Sequence, residues 1–383
     1  MIEASATVAS IERAPSIRAE RRPVIIWLVA LAVMVFAMVV IGGITRLTES
    51  GLSIVEWRPL TGILPPLNPA DWQALFERYQ ATPEYRKLNF GMSLESFKAI
   101  FWWEYTHRLW GRLIGIVFLV PFLWFAWTGR IERRLKPRLI GLFALGAVQG
   151  ALGWWMVRSG LADDPFVSQY RLAAHLGLAL VIYGALIWIA FDLAYPRATW
   201  PPSARRLRQG SMAVLLLVAL TILAGAFMAG LDAGMIMNAF PLMGGRLVPE
   251  DLWLIEPPLW NLFENPVTVQ FAHRLLGMTT VVAVLTLWWA IGRGQATGGS
   301  RRAVGWTAAM TLAQLGLGIA TLLTQVPVTL GVLHQAGAVV LLTLVLWTAH
   351  HLGRPAPLAR QRDIPRLAEP DAASAESPAA STS

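Results

Sequence analysis

The chain has 383 residues, 55% hydrophobic and 14% charged, with a mean hydropathy of +0.52; this excludes an ordinary soluble domain and indicates a polytopic membrane protein. It contains no cysteine, which excludes disulfides, thiolate chemistry and cysteine-ligated metals. Its net charge of +9 would suit nucleic acid, but the placement of the arginines along the chain gives that charge another cause.

A polar arm over 1–23 comes first. It carries Arg13, Arg18, Arg21 and Arg22, but also Glu3, Glu12 and Glu20. Those acids argue against a transit peptide, and the apolar run that follows lacks a small-residue cleavage site. Eight apolar runs are then long enough to span a bilayer, at about 20 residues each: 24–46, 99–128, 138–157, 169–192, 210–231, 267–291, 303–325 and 328–350. The first two are separated by a long connection over 47–98. Loops of that length usually have a function or carry helices of their own. Within it DWQALFERYQ reads as a short amphipathic helix with Asp71 as its N-cap. The counterpart after the fifth run, GLDAGMIMNAFPLMGG, is shorter. The chain closes on AEPDAASAESPAASTS, a low-complexity tail expected to be disordered.

Arginines alternate between the connections. They occupy the N-terminal arm, GRIERRLKPR after the second run, Arg197, Arg205, Arg206 and Arg208 after the fourth, Arg293, Arg301 and Arg302 after the sixth, and Arg354 after the eighth. The intervening connections are neutral or acidic, as at Asp163–Asp164 and Glu250–Glu264. The positive-inside rule then puts both termini in the cytoplasm, expected here to lie beneath a bacterial inner membrane. Topology and the lipid bilayer account for the basic balance, so nucleic acid is set aside as a partner.

The two halves repeat one another. HRLWG at His107 matches HRLLG at His273; Gln149 and Gly153 match Gln314 and Gly318; Gly42, Glu49 and Gly51 match Gly225, Asp232 and Gly234; His175 corresponds to His334. Four matches in the same order imply a parallel duplication about an axis along the membrane normal. The expected fold is all-α integral membrane, with eight transmembrane helices as two pseudo-twofold-related four-helix bundles. The bundles cover 24–193 and 210–352, joined by a linker over 194–209 and followed by the tail 353–383.

Four of the six histidines share a depth. His107 precedes Arg130 by 23 residues, His175 precedes Arg197 by 22, and His273 and His334 precede Arg293 and Arg354 by 20 each. At about 1.5 Å per residue, all four sit near the outer face. His350 and His351 lie at the cytoplasmic end of the last run, an ordinary place for histidine. A lone membrane histidine most often makes an interhelical hydrogen bond. Four at one depth in duplicated pairs point to function, and two histidines on facing helices of a bundle suit bis-axial haem ligation. Zinc would want three or four ligands.

Arg108 and Arg274 follow their histidines. They suit haem propionates or, equally, headgroups reached by snorkelling. Gly111 and Gly277, at i+4 from the histidines, would admit a flat macrocycle or close helix packing. The carboxylate occurs in only one copy of this motif: Glu104 lies three residues before His107, where the second half has Gln270. A carboxylate there could move protons or stabilise developing positive charge. It could instead pair with Arg108 at i+4.

Taken together, GGITRLTESGLSIVEWRPLTGILPP, EYTHRLWGRLIG, QGALGWWMV, AAHLGL, QFAHRLLG and LGVLHQAG resemble the haem A synthase (COX15/CtaA) family over roughly 24–352. The resemblance implies an eight-span oxidoreductase that oxidises the C8 methyl of haem O to the formyl group of haem A, for cytochrome c oxidase biogenesis. It implies successive hydroxylations with water-derived oxygen and loss of water from a gem-diol. By resemblance His273 and His334 ligate a haem b cofactor, with Arg274 beside it. His107 and His175, with Arg108, receive haem O, and Glu104 is the essential acid. Haem O synthase and oxidase assembly proteins are the implied partners, and homo-oligomerisation stays open. Some bacterial members carry cysteine pairs in outer loops; this chain has none. Two other classes compete, a bis-histidine electron-transfer cytochrome without haem-modifying activity and a transporter. A transporter predicts helices broken at the midplane, and only Pro121 lies well inside a run.

Overall fold

The computed structural model describes residues 2–57, 62–162, 165–195, 205–293 and 298–352, with side chains from Arg21 onward. The tail, Asp163–Asp164, Arg197, Arg354 and most of the 194–209 linker lie outside the described residues. Among the described residues the secondary structure is helical, with no strand beyond an isolated bridge between Met243 and Arg246.

Eight helices are long and apolar enough to cross a membrane. They are α1 (Ile2–Leu47, apolar from Arg21), α4 (Leu94–Trp127), α5 (Lys136–Gly160), α6 (Gln169–Ala194), α7 (Arg205–Gly230), α9 (Pro266–Arg293), α10 (Gly298–Leu323) and α11 (Val328–His351). In hydrocarbon each backbone donor and acceptor must be satisfied within the segment, which makes helix the forced choice. The side chains follow the same rule: Thr45, Thr221, Thr280, Thr307 and Thr321 each donate a hydroxyl to the carbonyl four residues back. α4 runs unbroken through Pro121.

The helix neighbours form two closed rings. α1 packs on α4 and α6, and α5 on α4 and α6; α7 packs on α9 and α11, and α10 on α9 and α11. The rings meet where α1 lies on α11, α6 on α7 and α6 on α11. Polar contacts pin this seam. Arg46 pairs with Asp232 at 2.8 Å and donates to the Ala229 carbonyl. Gln335 donates to Val39 O at 3.0 Å, and Tyr183 and Thr343 share a 2.7 Å bond. Near the opposite ends, His350 lies 3.2 Å from Asp192.

The apolar core is unevenly placed along the spans. It gathers Leu28, Leu31 and Val35 of α1, Phe118 of α4, Leu139 of α5, Leu186 of α6, Val218 of α7, Val284 and Ile291 of α9, Val304 of α10 and Val345 of α11. These lie in the halves of the helices nearest the arginine-rich connections. The other halves hold the histidines, glycines and glutamines of the repeat.

The long connection folds into a cap. α2 (Pro69–Gln80) and α3 (Pro83–Lys87) pack Phe76 and Tyr79 against Phe97 and Phe101 of α4. The expected N-cap is corrected: Asn68, not Asp71, caps α2. Asn68 Oδ1 accepts from the Asp71 amide, and Asp71 accepts from the Leu67 amide. Pro69 explains the shift, since its fixed φ and missing N–H suit the first helical position and start the helix earlier. After α7 the chain forms single turns and the four-residue helix α8 (Asn261–Glu264).

Candidate functional site

His175, His273 and His334 are the seventh, eighth and seventh residues of their helices, about 10 Å from the N-terminal ends of those helices. α4 starts at Leu94 and carries His107 as its fourteenth residue. All four rings are half-buried. Each is seated against a glycine of the preceding span. A Cβ on Gly42 would lie 3.3 Å from His107 Nε2; on Gly153, 3.0 Å from His175; on Gly225, 3.1 Å from His273; on Gly318, 2.9 Å from His334. The repeated glycines are therefore the space in which the imidazoles stand. Gly111 instead abuts Met38, and Gly277 faces open space.

The repeated glutamines complete the seats. Gln149 lies 3.2 Å from His175 Nδ1 and donates to the His175 carbonyl at 3.0 Å; Gln314 does the same to His334 at 3.1 and 2.7 Å. His273 Nδ1 stands 3.1 Å from the Thr221 carbonyl. A carbonyl only accepts, so Nδ1 carries the proton and Nε2 keeps its lone pair for a ligand. Gln149, Gln314 and the four seating glycines were not singled out as site residues in the sequence, although the repeat itself was their signal.

The rings of His273 and His334 face each other with centroids 6.4 Å apart and planes at 81°. Two metal–imidazole bonds of about 2 Å on opposite sides of one ion put the centroids roughly 6 Å apart, so the pair fits bis-axial ligation of a haem iron. Among the described residues no three His, Asp or Glu side chains gather as a metal cluster. Buried Arg274 Nε, Gln149 Oε1 and Gln314 Oε1 have no hydrogen-bond partner, and of these Arg274 Nε is a donor of the kind an anionic edge takes. His175 is close enough to His107 for the two rings to interact electrostatically.

Glu104 is 2% exposed. Its Oε2 accepts from Ser53 Oγ and the Ile54 amide at 2.7 Å each, and its Oε1 accepts from Arg108 at 2.6 and 3.0 Å. The i+4 pairing read as the alternative is thus present, inside a larger arrangement. Arg108 also donates to the carbonyls of Ile54 and Glu56 at 2.8 Å. In the second half Arg274 donates to the carbonyls of Ala239 and Met237 at 2.8 and 2.7 Å, and Gln270 donates to Met237 O at 3.3 Å. Each arginine ties the connection that precedes its helix to the histidine helix. The turns they hold leave α1 and α7 through matched left-handed residues, Glu49 (φ 51°) and Asp232 (φ 48°).

Residues 25–346 match the family model COX15-CtaA, described as cytochrome oxidase assembly protein. The chain belongs to the COX15-CtaA family. It is 53% identical over 343 residues to a protein of Rhodospirillum centenum named heme A synthase, covering 89% of this chain and 91% of that one. A heme A synthase of Nitrosospira multiformis is 50% identical over 338 residues, covering 88% and 95%. Heme A synthase COX15 of Arabidopsis thaliana is 46% identical over 355 residues, covering 90% and 77%. Membership of the family disfavours the transporter reading, as does the continuity of α4 through Pro121.

Proposed function

We propose that the chain is a haem A synthase, an oxidoreductase that converts the C8 methyl of haem O to the formyl group of haem A for cytochrome c oxidase. The observation that carries this reading is the duplicated imidazole seat in a chain of this family, with a carboxylate in one copy and an amide in the other.

His273 and His334 would hold a haem b, which when bound supplies a redox centre in the C-terminal half. Arg274 lines its outer rim and keeps one buried donor, Nε, for an anionic edge such as a propionate. His107 and His175 receive haem O as substrate, and Arg108 braces the outer rim of that half through Glu104 and the loop carbonyls. The ring-like helix neighbours support two bundles, 24–193 and 210–352, related by a pseudo-twofold axis. The alternation of arginines supports cytoplasmic termini in a bacterial inner membrane. Haem O synthase and oxidase assembly proteins are the proposed partners.

Oxidising a methyl to a formyl group with oxygen from water releases protons and electrons at the substrate carbon. Glu104 sits one helical turn outward of His107 and supplies the proton acceptor. Ser53, the Ile54 amide and Arg108 fix both its oxygens, so its position is set before substrate arrives. It can orient a water toward the substrate and take its proton. Gln270 cannot ionise, which suits a half that holds a permanent cofactor.

The test is pigment analysis of membranes in which the chain is co-expressed with a haem O source. Haem A should accumulate with the wild-type chain. A b-type spectrum without haem A would replace this reading with that of an electron-transfer cytochrome.

A further inference from the structure

The four helices of the N-terminal ring do not close equally. α1 packs closely on α4 and α6, and α5 on α6, but α4 and α5 meet only sparsely. Two ring contacts frame the gap between them. Toward the arginine-rich connections, Phe118 of α4 meets Phe143 of α5 with centroids 5.5 Å apart. About 16 Å further along α5, Trp154 meets Trp57 of the 47–98 connection at 6.2 Å. Trp57 is held in turn by Arg108 of α4, 5.8 Å from its ring. Between these frames the side chains are small. Ala147 and Gly150 lie on the stripe that joins Phe143 to Trp154; both are exposed, as is Gly146. On α4, Gly115 follows Arg108 at i+7, on the same face. A Cβ on Gly115, Gly146 or Gly150 would meet nothing within 4 Å. At the matching places of the repeat the C-terminal half has Val281, Thr311 and Leu315, and there α9 and α10 pack closely.

The other ways into the N-terminal half are closed. At the histidine end, the Ser53 hydroxyl and Ile54 amide are bonded to Glu104, and the Ile54 and Glu56 carbonyls to Arg108. At the opposite end Leu28, Leu31, Phe118, Leu139 and Leu186 fill the space between the helices. The sparse wall is the one beside the site, since Gly153 and Gln149, which seat His175, stand on α5. Lipid chains are as apolar as the side chains they touch, so a bilayer lets two helices stand apart at little cost. We propose that haem O reaches the His107–His175 site, and haem A leaves it, sideways from the bilayer through the window between α4 and α5. The inference rests on the proposed haem A synthase activity. A flat, largely apolar macrocycle needs a tall, narrow opening lined by small side chains. Its carboxylate edge needs a cation at one end of that opening, where Arg158 stands 5.6 Å from the Trp154 ring.

The test is uptake of haem O by the full chain, carrying its b-type haem, in lipid nanodiscs mixed with haem O-loaded vesicles. Pigment extracted from the re-isolated discs is followed against time and corrected with protein-free discs. Gly146→Thr and Gly150→Leu carry the side-chain sizes of the C-terminal half into the window. They should slow uptake at least about tenfold, the scale of an overpacking cost, and leave the final amount unchanged. The b-type spectrum reports folding. Because the chain has no cysteine, a single thiol can be modified after folding. A bulky lipid-soluble maleimide on Ala147→Cys should slow uptake in the same way. The same reagent on Leu312→Cys, the matching position of α10 and 50% exposed, should not. Wild-type uptake rates in the filled and the modified chains would overturn the window. A lower final amount reached at an unchanged rate would also overturn it, since that marks damage to the site and not to the route. A wild-type chain that takes up no haem O would instead overturn the proposed activity.

Discussion

The two halves seat their histidines alike and pack their third helices differently. In α10 a third of the most apolar window is buried, against 6% in α5; α10 packs closely along α9, while α5 touches α4 only sparsely. Yet Gly153 and Gln149 of α5 meet His175 as Gly318 and Gln314 of α10 meet His334. The duplicated part is the seat around each imidazole. The surrounding packing has diverged, tight where a permanent cofactor is proposed and loose where exchange of a substrate is proposed. The same contrast appears in the connections before α4 and α9: Arg108 and Arg274 do one tethering job, but of the two only Arg108 also engages a carboxylate.

The largest effect should come from removing an imidazole. His273→Ala should abolish the b-type absorption, whereas His107→Ala should abolish haem A formation and leave that absorption in place. Equal loss of the spectrum in both variants would break the assignment of one role to each half. Next, Glu104→Gln makes the first half resemble the second at this position. It should lower haem A formation about a hundredfold or more with haem binding kept, as read from extracted pigments. Near-wild-type haem A would sink the role given to Glu104.

The seats themselves come third. Gly318→Ala places a methyl 2.9 Å from His334 and should destabilise the occupied C-terminal half by roughly 1–3 kcal/mol, seen as easier loss of haem on heating. Gly153→Ala should leave that retention unchanged and weaken haem O binding instead. The cap should respond to pH independently of catalysis. The folded cap binds the Glu84 proton more tightly than the unfolded chain does, since its carboxyl is raised from 4.5 to about 7. Cap stability should therefore fall as pH rises through that window, measured by hydrogen exchange of α2 and α3, and Glu84→Gln should flatten the dependence. The smallest effect is expected at the seam. Arg46 and Asp232 are 26% and 41% exposed, so Asp232→Asn should cost below about 1 kcal/mol.

Much of the fold was legible because a bilayer leaves few choices. Apart from α1, which extends back through the polar arm to Ile2, the apolar runs matched the helices to within several residues, since length and hydropathy decide spanning and lipid forbids unpaired backbone. The boundaries moved outward at Leu94 and Lys136 because Ser93 caps α4 with its hydroxyl, and a proline in the first turn starts α5, local chemistry that a hydropathy window ignores. The histidine pairs were legible from the repeat and a common depth. The partners of Glu104 were not: Ser53 and Ile54 lie 51 and 50 residues away, in a connection without periodicity. Glu84 was equally silent, because a glutamate in PEYRK reads as a solvated charge until α2 and α4 close over it.

By itself the sequence determined the number of spans, the repeated motifs and the change from Glu104 to Gln270 between them. Each of these is written in local composition or in spacing along a helix. The tertiary structure alone decided that the repeated glycines are seats for the imidazoles, that His273 and His334 stand 6.4 Å apart, and that the loop carbonyls occupy the arginines. These depend on which helix faces which. Packing sets that at distances of tens of residues, where no pattern in the chain can report it.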